Sequence, residues 1–321
     1  MKVIIEPGSS GNILATIAIG DSYYNSWKHY ALPSWEKYCR RYDLGLVVFD
    51  ENLISPDHPS WKKPTWQKML IGSHLSEFLP NVNNICYLDT DILINFTAPN
   101  IFKYYYPETI GLVSQCVNMP YEEFEVKRKV AFFRHNYYSE SYPLDSALFM
   151  PLKQIFDYHN LPVQNNYACA GLIIFNMKNH AILMNNWFGK YDQSIHSITD
   201  GGDECHFNYE VQNWGNITWL DYKFQALWIY EMASKYNFLY HYGKNNSELI
   251  KECILSSIFS NYFIHFAGSW YESDMWKLGD IYDSDKSIND LEKYAEYIKR
   301  PVYGQPEGVV KPNLLEKMKI K

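Results

Sequence analysis

No apolar run in the sequence approaches the ~18–20 residues needed to cross a bilayer as a helix, so no transmembrane helix is expected. The apolar start, Met1 to Glu6, stops at Pro7-Gly8, and no secretory leader is expected from it. Positive charge is in short supply: 29 Lys and Arg stand against 36 Asp and Glu, a net charge of −7. That balance argues against a basic face for DNA or RNA. The six cysteines (Cys39, Cys86, Cys116, Cys169, Cys205, Cys253) contain no CxxC pair. Their scatter excludes a zinc ribbon and reads as reduced thiols in an intracellular, cytoplasmic protein. Internal repeats and low-complexity runs are absent, and no glycine-rich phosphate loop follows the first apolar strand.

What is present is ordinary globular composition, 47% hydrophobic and 20% charged, in 321 residues. Such a length suits one large domain or two small ones. Aromatics are abundant, with 28 Tyr, 17 Phe and 10 Trp, a supply compatible with stacking on sugars. The apolar run Ile13 to Ile19 predicts a buried strand. Helical spacing of Trp27, Tyr30, Ala31, Trp35 and Tyr38 predicts a helix over about Tyr24 to Tyr42, kinked or divided at Pro33. Leu44 to Phe49 follows as a second strand, so the pair should be parallel with a right-handed crossover. A helix over Thr65 to Phe78, with Thr65 as its cap, leads to a third strand, Ile85 to Leu88. Later strands are expected at Gly111–Val113, Ala170–Phe175, Asn216–Leu220 and Tyr262–His265, and helices at Ala181–Lys190 and Asp203–Val211. Residues 121–160 read as an insertion carrying helices. The whole is an α/β pattern: a mostly parallel central sheet with helices on both faces and a Rossmann-like N-terminal half. In such sheets ligands sit at the carboxyl ends of strands, where the strand order reverses.

Asp89-Thr90-Asp91 leaves the third strand at such an end. Residues i and i+2 of a strand point the same way, so the two carboxylates repel unless a cation lies between them. Mn²⁺ or Mg²⁺ fits, because hard cations take oxygen ligands and leave room for phosphates. A solvated turn with two aspartates is the plain alternative. Two enzyme classes use a DxD after an apolar strand. HAD phosphohydrolases place it on the first strand and follow it with Gly-Thr, whereas here it sits near the third strand and Ile92-Leu93 follows. GT-A glycosyltransferases place it after a nucleotide-binding half, as here.

Several blocks make the second resemblance specific. Thr65-Trp66-Gln67-Lys68 through Ile71, then Leu79-Pro80, then Tyr87-Leu88-Asp89-Thr90-Asp91 resembles the pattern of glycosyltransferase family 8. Tyr167 to Lys178 is similar to that family's Asn-Ala-Gly strand, Asp203 to Asn208 to its Asp-Gln helix, and Ile264 to Gly268 to its late His-x-x-Gly. The blocks keep the family's order over roughly residues 13–276. Three positions depart: Lys68 replaces an Arg, Cys169 replaces an Asn beside the donor sugar, and Ser269-Trp270-Tyr271 replaces Lys-Pro-Trp after Gly268. Lys keeps charge but not bidentate geometry.

The resemblance implies a single GT-A domain over 1–280 and a polar, partly helical extension over 281–321. It implies a nucleotide-sugar donor, UDP-linked, and a glycan or glycoconjugate acceptor. Asp89, Asp91 and His265 become metal ligands; without the family pattern, His265 reads as a core histidine. Donor contacts fall on Ile19, Gly20, Asp21, Tyr23, Lys68, Asp89, Thr90, Asp91, Ala170, Gly171 and Gly268, with Lys68 or Lys277 reaching the diphosphate. For Asp21 a helix-opening role stays open beside a ribose or base contact. Asp203 is placed at the donor-sugar hydroxyls and Glu204 near the reacting carbon, as a base (inverting) or a nucleophile (retaining, as in the family). A non-catalytic carbohydrate-binding protein remains the alternative outside enzymes. The tail Lys311 to Lys321 is either a solvated helix or a contact to an anionic membrane.

Overall fold

The computed structural model describes residues 1–137, 146–195, 202–241, 243–268 and 271–278. The extension expected over 281–321, with its basic tail, lies outside the described residues, as do Ser269 and Trp270. In chain order the strands are β1 (Lys2–Ile5), β2 (Asn12–Ile17), β3 (Gly45–Phe49), β4 (Asn84–Leu88), β5 (Ile92–Ile94), β6 (Ile110–Ser114), β7 (Ala168–Asn176), β8 (Ile217–Leu220), β9 (Ala226–Leu227) and β10 (Phe263–His265). Seven of them form one sheet in the order β1-β3-β2-β4-β7-β6-β8, and β5-β10-β9 form a second. β2 is parallel to β3 and β4, and β6 to β8. β7 runs antiparallel to β4 and β6, and β1 antiparallel to β3. Five strands of the main sheet therefore point one way, and β1 and β7 oppose them. The β2–β3–β4 half, joined through helices, is the expected Rossmann-like unit.

The connection from β2 to β3 is helical from Asp21 to Tyr42, but not uniformly so. A π turn, Trp27–Ala31, separates the helix Asp21–Ser26 from the helix Leu32–Tyr42. Pro33 lies in the first turn of the latter. Proline has no N–H for the bond to residue i−4, so the irregularity falls one turn ahead of it. The expected Thr65 cap is not made: the helix opens at Pro64, with no side-chain capping bond. Proline at a first helical position gives up only an N–H that would be unpaired anyway. That segment then tightens into a 3₁₀ turn, Lys68–Leu70, before continuing over Ile71–Phe78.

The main core fills the space between one sheet face and its helices. Ile13, Val47, Ile85, Ile173 and Phe175 meet Trp66, Ile71, Leu75, Trp187 and Phe207 there. Each such side chain, fully buried, contributes about 1.5–3 kcal/mol relative to exposure. Three consequences of this packing place the functional residues. The chain leaves the main sheet at Leu88, where the Asp89 N–H still donates to the Gly171 carbonyl (2.8 Å). It enters the second sheet at Ile92, opposite His265. Asp89-Thr90-Asp91 is therefore the crossing between two sheets, and the Phe266 N–H closes it by donating to the Asp91 carbonyl (3.1 Å).

Candidate active site

His265 ends β10, paired in parallel with β9 through Leu227 and antiparallel with β5 through Ile92. Its ring is almost wholly buried, and Nε2 faces both aspartates, 3.2 Å from Asp91 Oδ1 and 3.6 Å from Asp89 Oδ2. One ligand atom from each of the three residues lies within 4.8 Å of the others. Burial opposes charge on His265, but the Cys169 sulfur and the Asp91 carboxylate outweigh it and hold the imidazole well above its usual range. Asp91 Oδ1 is buried, with the His265 ring nitrogen 3.2 Å away as its polar neighbour. The second face of Asp89 is fixed by the Tyr87 hydroxyl, which donates to Oδ1 at 2.6 Å.

β7 supplies the wall behind this triad, and an irregularity in it decides which backbone groups are free. Leu112 pairs with Ile173 and Ser114 with Ala168. Two steps along β6 thus match five along β7, so residues 169–172 bulge out of that ladder, a device that re-aims groups beside sites. The Ala170 N–H turns to Glu204 Oε2 (3.3 Å), and the Ala170 carbonyl accepts from Lys68 Nζ (2.9 Å). Gly171 sits against the triad itself. A Cβ there would lie 2.3 Å from His265 Cε1 and 2.7 Å from Asp89 Oδ2, so only glycine lets the strand pass this close to both ligands.

Glu204 opens the helix Glu204–Trp214, with Asp203 just before it. Its Oε1 accepts from Gln115 Nε2 at 3.2 Å. Burial and the Asp203 charge push the Glu204 carboxyl above its ordinary value, while the Ala170 N–H, Lys68 and Gln115 pull it back. Asp203 is buried and paired with Lys68 (3.2 Å). Burial raises its carboxyl, against the pull of Lys68. The Lys68 ammonium is itself enclosed. Burial lowers its pKa, but Asp203 and Asp89 override this and keep it charged.

These elements enclose a cavity of about 680 Å³, within the span usual for small-ligand sites. Ile19, Tyr23, Asp89, Thr90, Asp91, Glu204, His265 and Gly268 line it. Gly268 has φ +107, a backbone state that other residues rarely adopt. Lys68, Asp203, Ala170 and Gly171 stand behind its wall and not on its surface. Gly20 and Asp21 are exposed; Asp21 opens its helix, where a carboxylate suits the dipole. Lys277 lies apart from the lining and pairs with Asp274 (2.7 Å). Sequence reasoning missed Gln115, Gln225 and His159. Gln115 directly follows a strand at the same end of the sheet as Asp89, and the strand-end rule applied to every strand finds it. Gln225 precedes a two-residue strand and carries no such signal.

No protein-family model matches this chain, and no curated protein matches it. Among solved structures it is similar to a glycosyltransferase involved in glycosylation of the major capsid of PBCV-1, at 9% identity over 83% of this chain and 99% of that one, TM-score 0.47. It is similar to the bifunctional glycosyltransferase WbbM at 14% identity over 88% of this chain and 52% of that one, TM-score 0.44. It is similar also to the galactosyltransferase LgtC, solved with donor and acceptor sugar analogs, at 12% identity over 83% and 94%, TM-score 0.42. These are likenesses in the arrangement of elements, and no residue role is carried over from them.

Proposed function

We propose that this chain is a metal-dependent GT-A-type glycosyltransferase. Its donor is a nucleotide sugar, UDP-linked, and its acceptor a carbohydrate or another hydroxyl compound. The observation that carries this reading is the Asp89–Asp91–His265 triad on the wall of a ligand-sized cavity. The place is right for a nucleotide: residues after β2 and after β4 meet there, where the order β3-β2-β4 reverses direction.

The residues fit a divalent cation. Two carboxylates and an imidazole nitrogen suit Mn²⁺ or Mg²⁺, and the buried Asp91 Oδ1 faces the His265 nitrogen, the group that would ligate beside it. The chemistry that such an ion supplies here is neutralisation of the charge growing on a nucleoside diphosphate leaving group. Lys68 adds fixed positive charge from inside the wall, beside Asp203 and Ala170. The turn Ile19-Gly20-Asp21 and the exposed Tyr23 ring take the base and ribose. Glu204 presents a carboxylate to the cavity, steadied at both oxygens. In the retaining course, which the family resemblance favours, it attacks the anomeric carbon as the bond to diphosphate breaks, and the acceptor hydroxyl then displaces the carboxylate, the hydroxyl's proton passing to the released diphosphate. In an inverting course it takes the acceptor's proton instead.

Asp91→Ala tests the assignment. Transfer from a UDP-sugar should be abolished while the protein stays folded, since Asp91 lies in the crossing between sheets and not in either core. Retained metal-dependent transfer in this variant refutes the reading.

A further inference from the structure

We propose that Gln225 is a positioning residue that fixes the tautomer of His265 for metal ligation, an inference that rests on the metal reading above. Nε2 is the nitrogen that faces Asp89 and Asp91. An imidazole that ligates through Nε2 carries its proton on Nδ1, and Nδ1 then needs an acceptor. Two groups stand beside it: the Gln225 side-chain amide at 3.2 Å and the Cys169 sulfur at 3.5 Å. A thiol sulfur is a weak acceptor, and an amide oxygen is a good one.

Three features single out the amide. Gln225 is 1% exposed, so water does not serve its polar atoms. Its Oε1 is buried with no hydrogen-bond partner, while the nitrogen end faces the ring. The two ends of an amide exchange by a half-turn; with Oε1 toward the ring, the unserved acceptor meets the Nδ1–H. The residue is also held in step with its target. Gln225 immediately precedes β9, whose Leu227 is in register with His265 on β10. On the opposite side Gly171 leaves no slack, since a Cβ there would lie 3.0 Å from Gln225 Nε2.

With the oxygen end toward the ring, the amide accepts from Nδ1–H and leaves the Nε2 lone pair aimed between the carboxylates. Partners of ligating histidines typically change metal affinity by about 10–100-fold when removed.

The test is Mn²⁺ binding, read by the paramagnetic resonance of free Mn²⁺, with no turnover involved. Gln225→Leu, which removes the acceptor, should weaken binding by about 10–100-fold, whereas Gln225→Glu, which keeps an acceptor, should bind at least as tightly as wild type. Gln225→Leu within twofold of wild type, or Gln225→Glu as weak as Gln225→Leu, overturns the proposal. Because Gln225→Leu leaves a hydrophobic side chain in a polar pocket and can fail to fold, a second measurement uses the wild-type chain alone. Long-range ¹H–¹⁵N spectra of the Mg²⁺-saturated protein should show His265 protonated on Nδ1, and an unprotonated Nδ1 there overturns it too. Wild type that binds no Mn²⁺ removes the metal reading and this proposal together; intact wild-type binding with unaffected variants removes this proposal alone.

Discussion

Gly171→Ala adds one methyl group and should disable the metal site. The new Cβ would stand 2.3 Å from His265 Cε1, 2.7 Å from Asp89 Oδ2 and 3.0 Å from Gln225 Nε2. Carbon atoms rest at about 3.5–4.0 Å, so the ring edge must retreat by roughly 1.2 Å or more. Metal–ligand distances tolerate about 0.2 Å. The retreat is several times that tolerance, and the same methyl group pushes two of the three ligands. The strand cannot yield instead, because the Gly171 carbonyl accepts from the Asp89 N–H and the neighbouring Leu172 is paired with Leu88. The overpacking should cost about 1–3 kcal/mol of stability, which leaves a folded protein. Mn²⁺ affinity, measured on the folded variant, should fall by about 100-fold or more, beyond the loss of a supporting hydrogen bond alone. A Gly171→Ala protein that binds Mn²⁺ like wild type, with an unchanged thermal midpoint, would show that β7 does not press on the triad.

Glu204→Gln keeps shape but removes charge. It should lower kcat by about 10²–10⁴-fold with donor affinity nearly unchanged, and near-wild-type turnover eliminates a catalytic carboxylate. Mn²⁺ affinity should depend on pH in one direction. Binding needs neutral His265, whose imidazole is held protonated well above its usual range, so each pH unit below that raised pKa should weaken binding about tenfold. Titrations from pH 6 upward that show flat or falling affinity contradict this.

The main sheet was legible because its strands are short apolar runs ending in turn residues, as at Ile85 to Asp89. The helices flanking β2 and β3 were legible from the spacing of their aromatics. The short edge strand β1 and the helices Trp228–Lys235 and Ser247–Ser260 were not. Their residues owe their burial to neighbours distant in sequence, which one chain's periodicity does not report. In the site, Asp89 and Asp91 announced themselves by facing one way from a strand exit. His265 reaches them only because β5 and β10 pair across about 170 residues of chain. Sequence placed Lys68 and Asp203 against the donor, yet the fold encloses both and pairs them with each other. A buried lysine needs a carboxylate partner, and nothing local in either segment indicates that this partner lies on a helix more than a hundred residues away. Gly171 was read as a donor contact; its closest constraint is steric, on His265 and Asp89.

Calorimetric titration of UDP into the full chain, with and without Mn²⁺, tests the central claim most directly. Metal-assisted nucleotide binding at the Asp89–Asp91–His265 cavity predicts clear one-site binding with Mn²⁺ and at least tenfold weaker binding without it. Equal affinity in both titrations, or no UDP binding in either, would contradict the account.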